Sequence, residues 1–250
     1  MTLLRVESAS KHFGSLIAVD NVSMTVEPGE LRAVIGPNGA GKTTFFNLIS
    51  GFLQPTSGRI EFDGEDVTAL LPARRVWRGM ARTFQITEVF PELSVRENLR
   101  IPVEVAAGHR LRPWLSRGAD GEIRARVTQL VEMGDLTNKA DRLVGELSHG
   151  DQRAIEIMMA LALNPRLLLL DEPTAGMGDQ ETYDVTQLIR KLHRDQKLSI
   201  VLIEHDMRVV FHLADRIMVL AEGKMLAEGT PEEIAANEAV QAAYLGTAAA

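Results

Sequence analysis

Gly36-Pro37-Asn38-Gly39-Ala40-Gly41-Lys42-Thr43-Thr44 decides the fold. Its spacing is G-x-x-x-x-G-K-[ST]. It follows Leu31-Arg-Ala-Val-Ile35, a short apolar run that reads as a buried strand, and it leads into Thr43–Ser50, which reads as a helix stopped by Gly51. Glycines in such a loop let the chain curl so that successive amides point inward, and the helix start adds about half a positive charge. Lys42 then reaches the β- and γ-phosphates of a nucleotide, and Thr43 offers its hydroxyl to Mg²⁺. The expected phosphate-binding residues are Gly36, Asn38, Gly39, Ala40, Gly41, Lys42, Thr43 and Thr44. A dinucleotide-type G-x-G-x-x-G is not what is written here.

Outward from the loop, Leu167–Leu170 is a second buried strand after the Asn164-Pro165 break, and Ser199–Ile203 is a third. Ile217–Leu220 and Met225–Ala227 read as a late hairpin with Gly223 in its turn. Strands alternating with helical stretches indicate an α/β domain with a mainly parallel core sheet. The opening differs: Leu3–Ser8, Ile17–Ser23 and Arg59–Phe62 read as an antiparallel β subdomain joined by glycine-containing turns. Between about 89 and 160 strand signals fade, Pro102, Pro113, Gly118 and Gly121 interrupt, and Glu122–Met133 has helical spacing, so this stretch is expected to be a helical subdomain.

Asp171-Glu172 closes the Leu167–Leu170 run, placing two carboxylates at the C-terminal end of a buried strand, where ligands of parallel sheets collect. Asp171 suits a role in holding Mg²⁺, and Glu172 is the candidate base that polarises an attacking water.

The chain has 250 residues, long enough to bury roughly three-quarters of its unfolded surface. It has no cysteine, which excludes disulfide staples, thiolate catalysis and Cys-ligated metal, and its six histidines show no metal-ligand spacing. The longest apolar runs fall far short of the ~20 residues that span a bilayer, and Met1–Gly14 does not read as a secretory signal, so a cytoplasmic location is expected. Net charge is −7, with eleven arginines against six carboxylates in residues 74–126; that segment is either a solvated surface or a face turned to an anionic partner.

The order of Lys42, Gln85, Leu147-Ser-His-Gly150, Asp171-Glu172 and His205 resembles the ATP-binding subunit of an ATP-binding-cassette (ABC) transporter over nearly the whole chain. The resemblance implies the cofactors ATP and Mg²⁺ and a single cassette over 1–250, with a nucleotide-binding α/β core at 1–88 and 161–250 and the helical subdomain at 89–160. It implies that Phe13 stacks on adenine, where a core phenylalanine is the competing reading. Gln85 would approach Mg²⁺ and the attacking water, and His205 would contact the γ-phosphate. Ser148 and Gly150 belong to the family signature, usually Ser-Gly-Gly-Gln, at a helix start that closes on ATP held by a second cassette. His149 and Asp151 replace the usual glycine and glutamine, and Gly178 stands where an aspartate is common. Asp151 places a carboxylate beside the expected phosphate.

The partners implied are a second ATP-binding subunit, integral membrane permease subunits docked near Gln85, and indirectly a solute-binding protein. No nucleic acid is expected, and the location would be peripheral, on the cytoplasmic side of the membrane. The sequence looks most like the ATP-binding subunits of branched-chain amino acid importers, through Gly36–Asn47, the insertion after Gln85, and the ending from Glu228-Gly-Thr-Pro-Glu-Glu-Ile234 to Ala243-Tyr-Leu-Gly246. Urea and amide importers and the lipopolysaccharide-exporting cassette share much of that pattern. A soluble ABC ATPase acting on ribosomes or DNA, and a phosphate-loop small-molecule kinase, would also carry the loop at 36–44.

Overall fold

The computed structural model describes residues 2–83, 89–108 and 117–245, with the side chains of 117–119 and 245 excluded. Its strands are β1 (Leu4–Phe13), β2 (Leu16–Val26), β3 (Leu31–Ile35), β4 (Ser57–Phe62), β5 (Glu65–Asp66), β6 (Met80–Arg82), β7 (Leu167–Asp171), β8 (Ser199–Ile203), β9 (Arg216–Ala221) and β10 (Lys224–Gly229). Its helices are α1 (Lys42–Ser50), α2 (Pro72–Val76), α3 (Val95–Ala106), α4 (Arg117–Met133), α5 (His149–Leu161), α6 (Asp179–Gln196), α7 (Met207–Leu213), α8 (Pro231–Ala235) and α9 (Glu238–Leu245).

The core sheet has the order β10-β9-β3-β8-β7-β6, parallel throughout except for the β9–β10 hairpin. Strands β3, β7 and β8 are buried at every position, as expected for a parallel sheet covered on both faces. The period-2 alternation of a strand divides them between two cores. Leu31, Ala33, Ile35, Leu168, Leu170, Ile200 and Leu202 pack with helices α3 to α7, whereas Val34, Leu167, Leu169, Val201 and Ile203 face Phe45, Phe46, Leu48 and Ile49 of α1 and the antiparallel sheet β2-β1-β4-β5. Helix α1 and its preceding loop are therefore clamped between two sheets.

Three expectations need correction. Strands β1 and β2 outrun the segments read from sequence, because bulges absorb irregular residues: pairing shifts between Val6 and Ala9, and Ser8 and Asn21 take φ of 48° and 53°. Pro102 lies inside α3 and does not interrupt it. Ser94 and Glu97 form a reciprocal capping box, and Val95, Leu99 and Val103 bury one helical face, which outweighs the missing amide. Gly118 and Gly121 lie within α4, where burial of Ile123, Val127 and Leu130 exceeds the roughly 1 kcal/mol each glycine costs. Pro113 falls outside the described residues.

The arginine-rich segment is largely consumed internally. Arg75 and Arg82 are interior, while Arg78 pairs with Glu65, Arg96 with Asp141, Arg100 with Glu104 and Asp120, and Arg124 with Asp120.

Candidate nucleotide-binding site

The loop between β3 and α1 has the conformation its glycines permit. Gly39 and Gly41 take φ of 79° and 96°. A Cβ on Gly41 would stand 2.4 Å from the Ala18 carbonyl oxygen, and one on Gly36 would stand 2.1 Å from that of Leu220, so the backbone is pressed against β2 and β9. The turn between β9 and β10 buttresses the loop from behind, with the Gly223 amide donating to the Ala40 carbonyl at 3.1 Å. Lys42 is buried, and its Nζ donates to the carbonyls of Gly36 at 2.7 Å and Pro37 at 3.0 Å. Burial pushes its pKa down, and the Glu172 and Asp171 carboxylates oppose that shift. The result is a desolvated ammonium beneath a curled loop, facing two carboxylates at a neighbouring strand end. Thr43, the next residue, is exposed.

Asp171 ends β7 held from two sides. Its Oδ2 accepts from Arg82 Nη2 at 2.8 Å, and its backbone oxygen accepts from the buried Arg153 Nη2 of α5 at 2.7 Å. Arg82 also donates to Asn47 Oδ1 at 2.6 Å and Ser50 Oγ at 2.7 Å, and lies over the Phe46 and Phe52 rings. Neither arginine's role at Asp171 stands out in the sequence, since Asp171 lies 89 residues from Arg82 and 18 from Arg153; only the position of Arg82 at the end of a short apolar stretch carries a signal. One carboxylate from Asp171 and one hydroxyl from Thr43 are the donors Mg²⁺ takes when phosphate oxygens and waters complete its shell, so these residues fit that ion.

Glu172 takes a left-handed φ of 45°, and its amide donates to the Ile203 carbonyl at 2.9 Å. That bond draws the end of β7 to the end of β8, from which Glu204 and His205 continue. The His205 side chain is 62% exposed, with Nδ1 3.7 Å from Glu204 Oε2. Phe13, at the end of β1, is also exposed, with Lys11 Nζ 5.3 Å from its ring centre, so it is a surface aromatic and not a core residue. Gln85 lies outside the described residues.

A family model described as ABC transporter matches residues 19–175. The chain belongs to the ABC transporter family. Residues 224–250 match a second model, described as branched-chain amino acid ATP-binding cassette transporter. The cassette is 40% identical over 252 residues to the high-affinity branched-chain amino acid transport ATP-binding protein BraF of Pseudomonas aeruginosa, and 40% identical over 256 residues to LivG of Escherichia coli, with 98% of each chain covered. Among solved structures it resembles an ABC transporter cassette in its ADP conformation, with a TM-score of 0.86 and 30% identity, covering 98% of this chain and 99% of that one. It also resembles a dimeric cassette bound to ADP and phosphate after hydrolysis, with a TM-score of 0.76 and 26% identity, covering 92% and 99%.

The remaining residues singled out in the sequence lie elsewhere. Ser148 caps α5, its Oγ accepting from the Asp151 amide at 3.2 Å. With Gly150, Asp151 and Glu181 it lines a cavity of about 450 Å³ that includes no loop residue. The structure thus groups Lys42, Asp171 and Glu172, connects them to His205 through the Glu172–Ile203 bond, and leaves Ser148 and Gly150 in a cavity that none of these residues lines. Asp151 turns to Lys139, which donates to both carboxylate oxygens at 2.6 and 2.8 Å.

Proposed function

We propose that this cassette hydrolyses ATP at the β3–α1 loop to power the import of branched-chain amino acids or related small amino acid or amide solutes. The observation that carries the reading is the buried Lys42 ammonium, held under the loop and facing Asp171 and Glu172. Loop amides from Gly36, Asn38, Gly39, Ala40 and Gly41, with Lys42 and Thr44, hold the phosphates, and Phe13 stacks on adenine. Thr43, Asp171 and Gln85 would hold Mg²⁺, which would supply charge stabilisation to the phosphate oxygens when bound. Glu172 accepts the proton of a water whose oxygen attacks the γ-phosphorus in line, while the bond to the β–γ bridging oxygen breaks and ADP departs. His205 contacts the γ-phosphate.

Ser148 and Gly150 line a cavity that includes no residue of their own loop, which suits contact with ATP held by a second ATP-binding subunit, and ATP binding would close that dimer. The core at 1–88 and 161–250 carries the loop, and the helical subdomain at 89–160 carries Ser148 and Gly150. Trp77 and Val105 line an exposed groove beside α2 and α3, a surface suited to helices of membrane permease subunits. No helix among the described residues is long and apolar enough to cross a membrane, so the cassette would sit peripherally on the cytoplasmic face and receive solute only indirectly from a binding protein. The match at residues 224–250 and the two named relatives favour amino acid import over lipopolysaccharide export.

Glu172→Gln tests the reading. It should bind Mg-ATP, accumulate dimers detectable by light scattering, and lose about 10²-fold or more in turnover, the range for removal of a positioned base. Undiminished turnover would refute the assignment.

A further inference from the structure

Glu204 has no part in the scheme above, yet it is the most deeply buried carboxylate among the described residues, with no exposed surface. A buried carboxylate is costly unless it is hydrogen-bonded, and this one is served by two different segments, one on each oxygen. Oε1 accepts from the Thr174 amide at 3.1 Å and from the Thr174 hydroxyl. Oε2 accepts from the amides of His205 at 2.8 Å and Asp206 at 3.3 Å. Thr174 lies two residues beyond Glu172, and His205 directly follows Glu204. The carboxylate is therefore a bridge between the turn that carries the proposed base and the chain that carries the proposed γ-phosphate contact.

We propose that Glu204 is a positioning residue for ATP hydrolysis: it fixes the Glu172 turn against the His205 segment so that both meet the same γ-phosphate and water. This rests on the roles given to Glu172 and His205 above. Nucleotide affinity comes from the loop and Lys42, which Glu204 does not touch, so loosening the bridge should slow proton transfer from water to Glu172 without weakening ATP binding. Glutamine cannot replace the carboxylate, because it has one acceptor oxygen where donors converge on two, and its amide would confront N–H groups.

The experiment measures kcat, ATP KM and thermal stability of the full chain. Thr174→Val removes only the hydroxyl and should lower kcat about fivefold to tenfold at unchanged KM, an effect confined to the transition state, while Thr174→Ser should restore it. Glu204→Gln should lower kcat further, and the Glu204→Gln/Thr174→Val double variant should be no slower than Glu204→Gln alone, since both act through one network. Wild-type kcat in Thr174→Val, or a loss in which KM and melting temperature change in parallel with kcat, would overturn the proposal even if Glu204→Gln fails to fold. Glu172→Gln run alongside separates the two failures. If it loses turnover while Thr174→Val and Glu204→Gln keep theirs, only the positioning role falls; if it keeps turnover, the base assignment falls first.

Discussion

The Glu181 carboxylate accepts a hydrogen bond from the Gly150 amide at 3.1 Å, so the start of α5 already holds an anion from its own chain. The Gly150 amide chiefly, with the Gly178 amide, the Ser148 hydroxyl and His149, holds Glu181 below the usual glutamate range. The contact is close: a Cβ on Gly150 would stand 3.1 Å from that of Glu181. If this helix start receives the γ-phosphate of a partner's ATP, the nucleotide must displace Glu181. Glu181→Gln, a neutral competitor, should lower the ATP concentration that half-saturates dimer formation by roughly threefold to tenfold, the scale of a helix-terminus charge effect. Light scattering in a Glu172→Gln background would measure it, and an unchanged or raised half-point would count against displacement.

Asp151 introduces a carboxylate where the phosphate is expected, and Lys139 neutralises it through two bonds of 2.6 and 2.8 Å. Removing the lysine frees that charge beside the helix start. Lys139→Ala should raise the ATP requirement for dimer closure a few-fold, about 1 kcal/mol at a partly solvated pair. Asp151→Gln in the same background should reverse the loss. No reversal would show that Lys139 acts on the fold and not on charge.

Arg75 is buried between α1 and the turn before α2. Its guanidinium donates to the carbonyls of Leu48 at 2.8 Å, Ile49 at 2.5 Å, Leu70 at 3.1 Å and Thr68 at 3.1 Å. Two of these carbonyls, Leu48 and Ile49, lie in the last turn of α1, where the Leu48 oxygen also accepts from the Gly51 amide at 3.3 Å and a cation meets the negative end of the helix dipole. Burial pushes its pKa down to about 10, so it stays charged at neutral pH. Arg75→Met keeps bulk but no donors, and should cost about 3 kcal/mol through buried unpaired carbonyls, or roughly 6–12 °C in melting temperature for a chain this size. A melt within a degree or two of wild type would mean that water replaces the guanidinium.

These contacts mark the boundary of what the sequence discloses. Leu31–Ile35, Leu167–Asp171 and Ser199–Ile203 are legible because both faces of a parallel strand are buried and the run is continuously apolar. The glycines at 36, 39 and 41 are legible because their positions match a backbone requirement. Strand β6 is not, being three residues that end in an arginine whose charge is used by Asp171. Pro102 misleads because the packing of α3 overrides a local rule. Glu181 and Glu204 also accept from near neighbours, the amides of Gly178 and His205, but the contacts that matter here reach Gly150 and Thr174, 31 and 30 residues away, and only the juxtaposition of the two chain segments creates them.

Far from the loop, His193 links the end of α6 to the starts of β3 and β9. Its Nε2 lies 3.2 Å from Asp215 Oδ2 and its Nδ1 3.2 Å from the Leu198 carbonyl, while Asp215 Oδ2 also accepts from the Leu31 amide at 2.8 Å. Both ring nitrogens face acceptors, so the doubly protonated imidazolium satisfies both. The Asp215 bond accordingly raises the His193 pKa, against the effect of burial and with help from the Leu198 carbonyl. A raised folded-state value means that the stabilisation is complete below the free imidazole value of about 6.5 and is lost as pH climbs through the folded value. Burial pushes Asp215 up, but its bonds to His193 and Leu31 bring it to a net depression, so its share disappears only in acid. The melting-temperature deficit of His193→Gln relative to wild type should therefore be a few degrees near pH 6 and should shrink toward pH 9, with ATP turnover per folded molecule unchanged. A deficit that stays constant across that range would show that His193 contributes packing alone and no titrating charge.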